Sequence, residues 1–252
     1  MNETQTKFSF FDLFPDLPLV SIVDVGALPL DEIDGEEVYA HLMHTGRIKL
    51  IGFEPNQSGC LKLKKKYGDP HRFFPFFIGD GKSAVFHKTV HPMAGSLYAP
   101  NVELISNFSG LLEVMEPIGK ESVTTHRLDD VINLDEIDFL KMDVQGSELS
   151  VLKGAPRLAQ SALLIQTEAE FAPLYRNQPL FADIDSHLRS IGFQFHTFLG
   201  FGMRQYEAIN KPVSKNNFNQ MLWTDAVYIP NILQLDEYSD IRLLTLSALL
   251  HD

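Results

Sequence analysis

Ile137-Asp138-Phe139-Leu140-Lys141-Met142-Asp143-Val144-Gln145-Gly146-Ser147-Glu148 reads as an apolar strand that carries an acid to its end, with a glycine that then opens a helix. The helix runs from Ser147 to Lys153 and Gly154 stops it. The same grammar recurs upstream. Leu19 to Asp24 is a buried strand ending in an acid, and Glu36 to Thr45 is a helix stopped by Gly46. Ile48 to Phe53 is a second strand, ending at Glu54, and Asn56 to Tyr67 is a helix closed by Gly68. Phe73 to Ile78 is a third strand, leading into Gly79-Asp80-Gly81, with Ser83 to Lys88 as an antiparallel extension.

Downstream, the stretch from Val90 to Ser122, broken by Pro92, Pro100 and Pro117, is expected to be an irregular loop region over a site. Ala162 to Gln166 is a strand reaching Glu168, Pro179 to Ser190 is a helix, and Phe193 to Phe198 and Leu222 to Ile229 are the last two strands. Near-continuous apolar strands alternating with helices imply a mostly parallel sheet covered on both faces. The final pair has no helix between its members, so an antiparallel strand is expected at the sheet's end. The expectation is an α/β, Rossmann-like seven-stranded methyltransferase sheet. It spans residues 20–230, with an N-terminal extension at 1–19 and an amphipathic C-terminal helix at 231–252. That helix packs on the body or on a second copy of the chain, which leaves room for a homodimer.

The 252 residues are 44% hydrophobic and 21% charged, as in a soluble globular protein. A single cysteine, Cys60, excludes an intrachain disulfide and a cysteine-rich zinc cluster, and it suits a reducing compartment. Asp12, Pro15, Asp16 and Pro18 interrupt the apolar start, so no signal peptide is expected, and no run reaches the roughly 20 apolar residues of a membrane span. A cytoplasmic protein follows as the expectation. With a net charge of −12, and its one compact basic run (Lys62, Lys64, Lys65, Lys66) on a helix face, the chain is not expected to bind nucleic acid.

Ligands of an open parallel sheet sit at the carboxyl ends of its strands, where the strand order reverses. Asp24, Glu54, Asp80 and Asp143 all lie at such ends. In Asp24-Val25-Gly26-Ala27, Gly26 permits a sharp turn and a close ligand. No second or third glycine follows to seat a pyrophosphate, which disfavours a nicotinamide dinucleotide and favours S-adenosylmethionine. Glu54, ahead of Pro55, is placed to accept hydrogen bonds from both ribose hydroxyls. Asp80, after Gly79, could meet the adenine amino group or could simply make a tight turn. Asp143 is expected beside the first strand, where the amino-acid portion of the methyl donor would lie.

These segments resemble the FkbM-type methyltransferases. The resemblance spans about Val20 to Pro230 and rests on Val23-Asp24-Val25-Gly26-Ala27, Gly52-Phe53-Glu54-Pro55-Asn56 and Leu128-Asp129-Asp130-Val131. Its most specific part is Ile137 to Ala155, with Glu168, Tyr175 and the run Leu188 to Phe193 further on. It implies a Rossmann-like fold, S-adenosylmethionine as cofactor, methylation of hydroxyls on sugars or secondary metabolites, and cofactor contacts at Asp24, Gly26, Glu54 and Asp143. Members usually continue after the first glycine with Asn-x-Gly. Here Leu28-Pro29-Leu30-Asp31 stands instead, so the loop is expected to hold the methionine moiety differently.

Transfer from a sulfonium to an alcohol needs alignment and a group to take the hydroxyl proton. Asp143, Glu168 and His126 are the candidates, with the acids favoured. Glu168 and Glu170 are expected to face opposite ways, so that one reaches the site. No metal is expected, because Asp143 and Glu168 find no third ligand. The acceptor is a small molecule or a glycan. Two rival readings are a non-catalytic S-adenosylmethionine-binding or scaffold protein of the same fold and a nicotinamide-dependent oxidoreductase.

Overall fold

A computed structural model describes residues 9–28, 38–131, 133, 135–207 and 219–251. The helices are α1 (Phe10–Leu13), α2 (Ala40–His44), α3 (Gln57–Tyr67), α4 (Val102–Ile105), α5 (Leu111–Met115), α6 (Leu128–Val131), α7 (Glu148–Lys153), α8 (Pro156–Ser161), α9 (Phe181–Ser190) and α10 (Asp240–His251). The strands are β1 (Val20–Val25), β2 (Ile48–Phe53), β3 (Arg72–Phe74), β4 (Phe77–Ile78), β5 (Ser83–Thr89), β6 (Pro117–His126), β7 (Phe139–Met142), β8 (Leu164–Glu170), β9 (Phe193–Gln205) and β10 (Asn219–Pro230).

Seven strands form one sheet in the order β3-β2-β1-β7-β8-β10-β9. The pairs β3–β2, β2–β1, β1–β7 and β7–β8 are parallel, and β10 runs antiparallel to both β8 and β9. This is the expected methyltransferase-type sheet. Its antiparallel strand is the last in the chain but lies one place in from the edge. The strand order reverses between β1 and β7, so the ligand crevice belongs at their carboxyl ends.

Apolar residues on alternate positions of each strand feed opposite cores. Val23, Val25, Leu140, Met142, Ile165 and Ala226 pack with Val151, Leu158, Ile184 and Leu188 of the helices α7, α8 and α9. Val20, Ile22, Leu50, Phe139, Leu164 and Val227 pack with Phe11, Cys60, Leu63 and Ala248 of α1, α3 and α10. The C-terminal helix is fastened to the body. Arg242 donates from Nη1 to Asp138 (2.8 Å) and from Nη2 to the Ser161 carbonyl, while the other Asp138 oxygen accepts from the Ser21 N–H (2.8 Å). No described helix is long and apolar enough to cross a membrane.

Two expectations need correction. The run 73–78 is two strands, because Pro75 has no N–H to give a ladder. β3 joins the main sheet, and β4 pairs with β6 in a separate three-stranded sheet of order β4-β6-β5. The region 90–122 is far from irregular. It holds α4, α5 and most of β6, and its buried residues Ala94, Ile105, Phe108, Leu111 and Met115 pack on Leu174, Tyr175 and Leu222. The expected helix 36–45 is described only from Ala40 to His44, and its start falls outside the described residues, as does all of Pro29 to Asp31.

Candidate active site

The tips of β1, β2 and β7 are laced together. The Gly26 and Ala27 N–H groups both donate to the Phe53 carbonyl (3.0 and 3.1 Å), and the Asp143 N–H donates to the Val25 carbonyl (3.0 Å). Gly26 has φ +95°, and a Cβ there would stand 2.0 Å from the Asp143 carbonyl oxygen. Only glycine lets the two tips approach this closely. A cavity of about 570 Å³ opens above them, within the range of small-molecule sites. Gly26, Glu54, Pro55, Asn56, Asp143 and Gln145 line its floor. Its far wall comes from Phe76 and Phe77 with Phe86, Met93, Leu97 and Ile118 of the small sheet and the turn that follows β5.

Glu54 is held in place by the start of α3. Its Oε1 accepts from the Asn56 N–H (2.6 Å), and Asn56 Oδ1 caps the helix by accepting from the Ser58 and Gly59 N–H groups (3.0 Å each). Glu54 is 7% exposed. Burial pushes its carboxyl up to about 7, the Asn56 N–H opposes this, and Asp24 adds to it.

The turn after β7 carries the rest of the site. Gln145 sits at φ +54° and Gly146 at φ +92°. A non-glycine residue in this region costs on the order of 1–2 kcal/mol, so other contacts must hold Gln145 there. Its amide supplies them. Nε2 donates to Asp143 Oδ1 and to Glu168 Oε2 (2.8 Å each), Oε1 accepts from the Tyr175 hydroxyl (3.0 Å), and the backbone oxygen accepts from Ser96 Oγ (2.6 Å). Gln145 therefore ties the end of β7 to β8. Glu168 is raised well above the usual carboxylate range by burial, by Asp143 and by the carboxyls of Glu170, Glu148 and Asp225.

Several expected residues lie elsewhere. Glu168 does not line the cavity and is joined to it only through the Gln145 amide. Asp24 is fully buried below the cavity floor and is not part of the cavity lining. Its oxygens accept from the Tyr39 hydroxyl (2.6 Å) and Lys141 Nζ (3.1 Å). Ala27 is buried in the core beside Gly52. Gly79 packs against Ser150 and Gly154 of the α7 side, and Asp80 pairs with Lys82 (2.5 Å); neither lines the cavity. His126 stacks on Phe76 at 4.6 Å behind the cavity wall rather than in it. Glu168 and Glu170 share a face of β8, as residues two apart in a strand must, and Glu170 adds to the rise of Glu168. The expectation that they diverge was wrong in its geometry. Gln145, Glu148 and Lys141 had no distinguishing sequence signal, since a Gln before a turn glycine and a Glu in a helix's first turn are ordinary. Among the described residues, no three His, Cys, Asp or Glu side chains are arranged to hold a metal.

The chain matches the methyltransferase FkbM domain over residues 24–195, a span that takes in the end of β1, Glu54, the turn after β7 and all of β8. It belongs to the FkbM methyltransferase family. The matched span of the FkbM domain thus takes in every tip residue described above and stops inside β9. Two solved structures are similar at low identity. One is magnesium protoporphyrin IX methyltransferase (ChlM) from Synechocystis PCC 6803 with bound SAM, at 11% identity over 88% of this chain and 75% of that one, TM-score 0.38. The other is a putative methyltransferase from Thermoplasma acidophilum, at 9% identity over 85% and 70%, TM-score 0.37. No curated protein matches the chain.

Proposed function

We propose that this FkbM domain uses S-adenosylmethionine to methylate a hydroxyl oxygen of a sugar, glycoconjugate or secondary metabolite in the cytoplasm. The observation that carries the reading is the convergence of Gly26, Glu54 and Asp143 on one cavity at the point where the strand order reverses. The residues fit such a cofactor. Gly26 lets the β1 and β7 tips close together beneath the cavity, Glu54 offers a carboxylate at the ribose position, and Asp143 lines the same cavity.

When bound, S-adenosylmethionine supplies a methyl group already activated on its sulfonium. The chain's own residues then have three tasks. Gly26 and the tips it joins admit and orient the ligand. Glu54 binds through its carboxylate. Asp143 and Glu168, bridged by the Gln145 amide, are the groups that would hold the hydroxyl proton. Asp143 is the better placed, because it lines the cavity, whereas Glu168 lies behind the Gln145 amide and does not. His126, outside the cavity, takes no part.

The wall across from the floor favours an acceptor with an apolar body over a free sugar. Phe86, Met93, Leu97 and Ile118 present apolar side chains, and the polar groups beside them are engaged: Lys88 Nζ with Glu121 (2.6 Å), Thr89 Oγ1 with the His91 carbonyl (2.7 Å) and Ser96 Oγ with that of Gln145 (2.6 Å). A polyol facing these groups would leave hydroxyls unpaired, each costing about 1–3 kcal/mol. The test is a thermal-shift comparison. S-adenosylhomocysteine at about 100 times its Kd should stabilise the protein by about 2.7 kcal/mol, and NADH should not. A shift with NADH alone would overturn the reading. S-adenosylhomocysteine binding without methyl transfer to any apolar alcohol, phenol or glycan would point to the non-catalytic rival.

A further inference from the structure

Ile118 stands where β5 and β6 fall out of register. Thr89 lies opposite Pro117 and Lys88 opposite Gly119, so Ile118 is the extra residue of a β-bulge. Bulges leave a residue unpaired, re-aim its side chain and are frequent beside active sites. Here the residue is a large apolar one that lines the cavity and is nevertheless 64% exposed. Met93, in the turn that follows β5, lines the same cavity at 37% exposure. The two mark a mouth, beside the ion pair of Lys88 with Glu121 (2.6 Å).

Apolar surface continues outward from that mouth. The Val90 N–H donates to the Glu116 carbonyl and the His91 N–H to the Val114 carbonyl (3.0 Å each), so residues 89–91 run alongside 114–117. Val90, Val114 and Pro117 on these two segments are all exposed. Exposed apolar side chains gathered in this way mark a place where something apolar binds.

The size of the cavity indicates what the strip receives. About 570 Å³ is room for one drug-sized ligand. With S-adenosylmethionine on the floor, the reacting end of an acceptor fits beside it and the rest must lie across the mouth. A polyol resting on Ile118 and Val90 would lose water from its hydroxyls without gaining partners, whereas an alkyl chain would gain from the same burial. A negatively charged bilayer is recognised by clusters of Lys and Arg. The strip offers none: Lys88 is paired, Glu113 and Glu116 flank the apolar residues, and the chain carries a net charge of −12.

We propose that the acceptor bears its hydroxyl on a linear alkyl chain, which leaves the cavity between Met93 and Ile118 and lies along Val90 and Pro117. That the chain belongs to the acceptor rests on the reading under Proposed function. The alkyl site itself does not.

The test is calorimetric titration of 1-hexanol, 1-octanol and 1-decanol, below their solubility limits, with and without S-adenosylhomocysteine. Affinity should rise about threefold or more per methylene through the series. Ile118→Ser, at an exposed position, should keep the unfolding temperature and the hexanol affinity of the wild type and weaken decanol about tenfold. Affinity that stops rising after hexanol, or decanol binding that Ile118→Ser leaves unchanged, overturns the proposal. A different occupant of the strip also overturns it. That would be seen as a two-chain mass in light scattering that Ile118→Ser returns to one, or as co-sedimentation with phosphatidylcholine vesicles in place of alkanol binding. Failure of S-adenosylhomocysteine to bind while the chain-length series holds would remove the methyl-transfer reading and leave the alkyl site standing.

Discussion

Gly26→Ala should unfold the protein about 10 °C earlier and remove measurable S-adenosylhomocysteine binding. Two effects add at this position. The backbone sits at φ +95°, a conformation that costs a residue with a Cβ on the order of 1–2 kcal/mol. The new methyl would also fall 2.0 Å from the Asp143 carbonyl oxygen, which cannot withdraw without straining the Asp143 N–H bond to Val25. Forcing atoms into such a contact costs about 1–3 kcal/mol more. The joint relieved by movement is the one between β1 and β7, so the cavity floor opens as the clash is resolved. Gly46→Ala is the matched control. Gly46 has φ +67°, but a Cβ there meets nothing within 4 Å, so it should lose only about 1 kcal/mol and keep full ligand affinity. Calorimetry of both variants with S-adenosylhomocysteine separates backbone strain from damage to the crevice.

Glu54→Gln should weaken S-adenosylhomocysteine binding by about a hundredfold while making the ligand-free protein more stable at alkaline pH. The affinity loss follows from replacing a carboxylate, which can accept from two ribose hydroxyls, with an amide that offers one acceptor and a misplaced donor; charge-assisted bonds contribute about 1.5–3 kcal/mol each. The stability gain follows from linkage. A carboxyl raised from 4.5 to about 7 binds its proton more tightly folded than unfolded. Its favourable contribution is therefore complete below about pH 4.5 and is lost as the pH climbs to about 7, with a ceiling of roughly 3 kcal/mol for a shift of that size. The neutral amide has no such loss, so the variant and the wild type should diverge across that window. Ligand affinity of the wild type should improve over the same window, because the ionised form is the one that accepts hydroxyls. Equal affinities, or equal pH profiles of unfolding, would remove Glu54 from the binding machinery.

Much of the sheet was legible because its strands are covered on both faces. β1, β2 and β7 are buried almost throughout, so each is a nearly continuous apolar run, and each carries an acid at or beside its end. β6 has the opposite character. Most of Pro117 to His126 is exposed, its residues do not alternate, and its strand conformation comes from pairing with β5, from Thr89 opposite Pro117 to Ser83 opposite Thr124, a contact between distant segments. That kind of element leaves little trace in local composition.

The site divides the same way. Glu54, Pro55, Gly26 and Asp143 were readable from their places at strand ends, and they do meet. Asp24 has the same local signature but is turned into the protein by Tyr39 and Lys141, two partners that its own segment does not reveal. Asp80 also looks like a strand-end acid, yet Pro75 has moved its strand into another sheet. Glu148 holds the Val144 and Gly146 N–H groups from inside the protein, and a helix-start glutamate gives no warning of it.

The most direct measurement is a crystal structure of the protein grown with S-adenosylhomocysteine. The expected result is a ribose whose hydroxyls meet the Glu54 carboxylate, backbone contact at Gly26, and a sulfur atom above Asp143 and Gln145 facing the Phe86–Met93 wall. A nucleoside bound away from the β1 and β7 tips, or bound there with Glu54 disengaged, would contradict it.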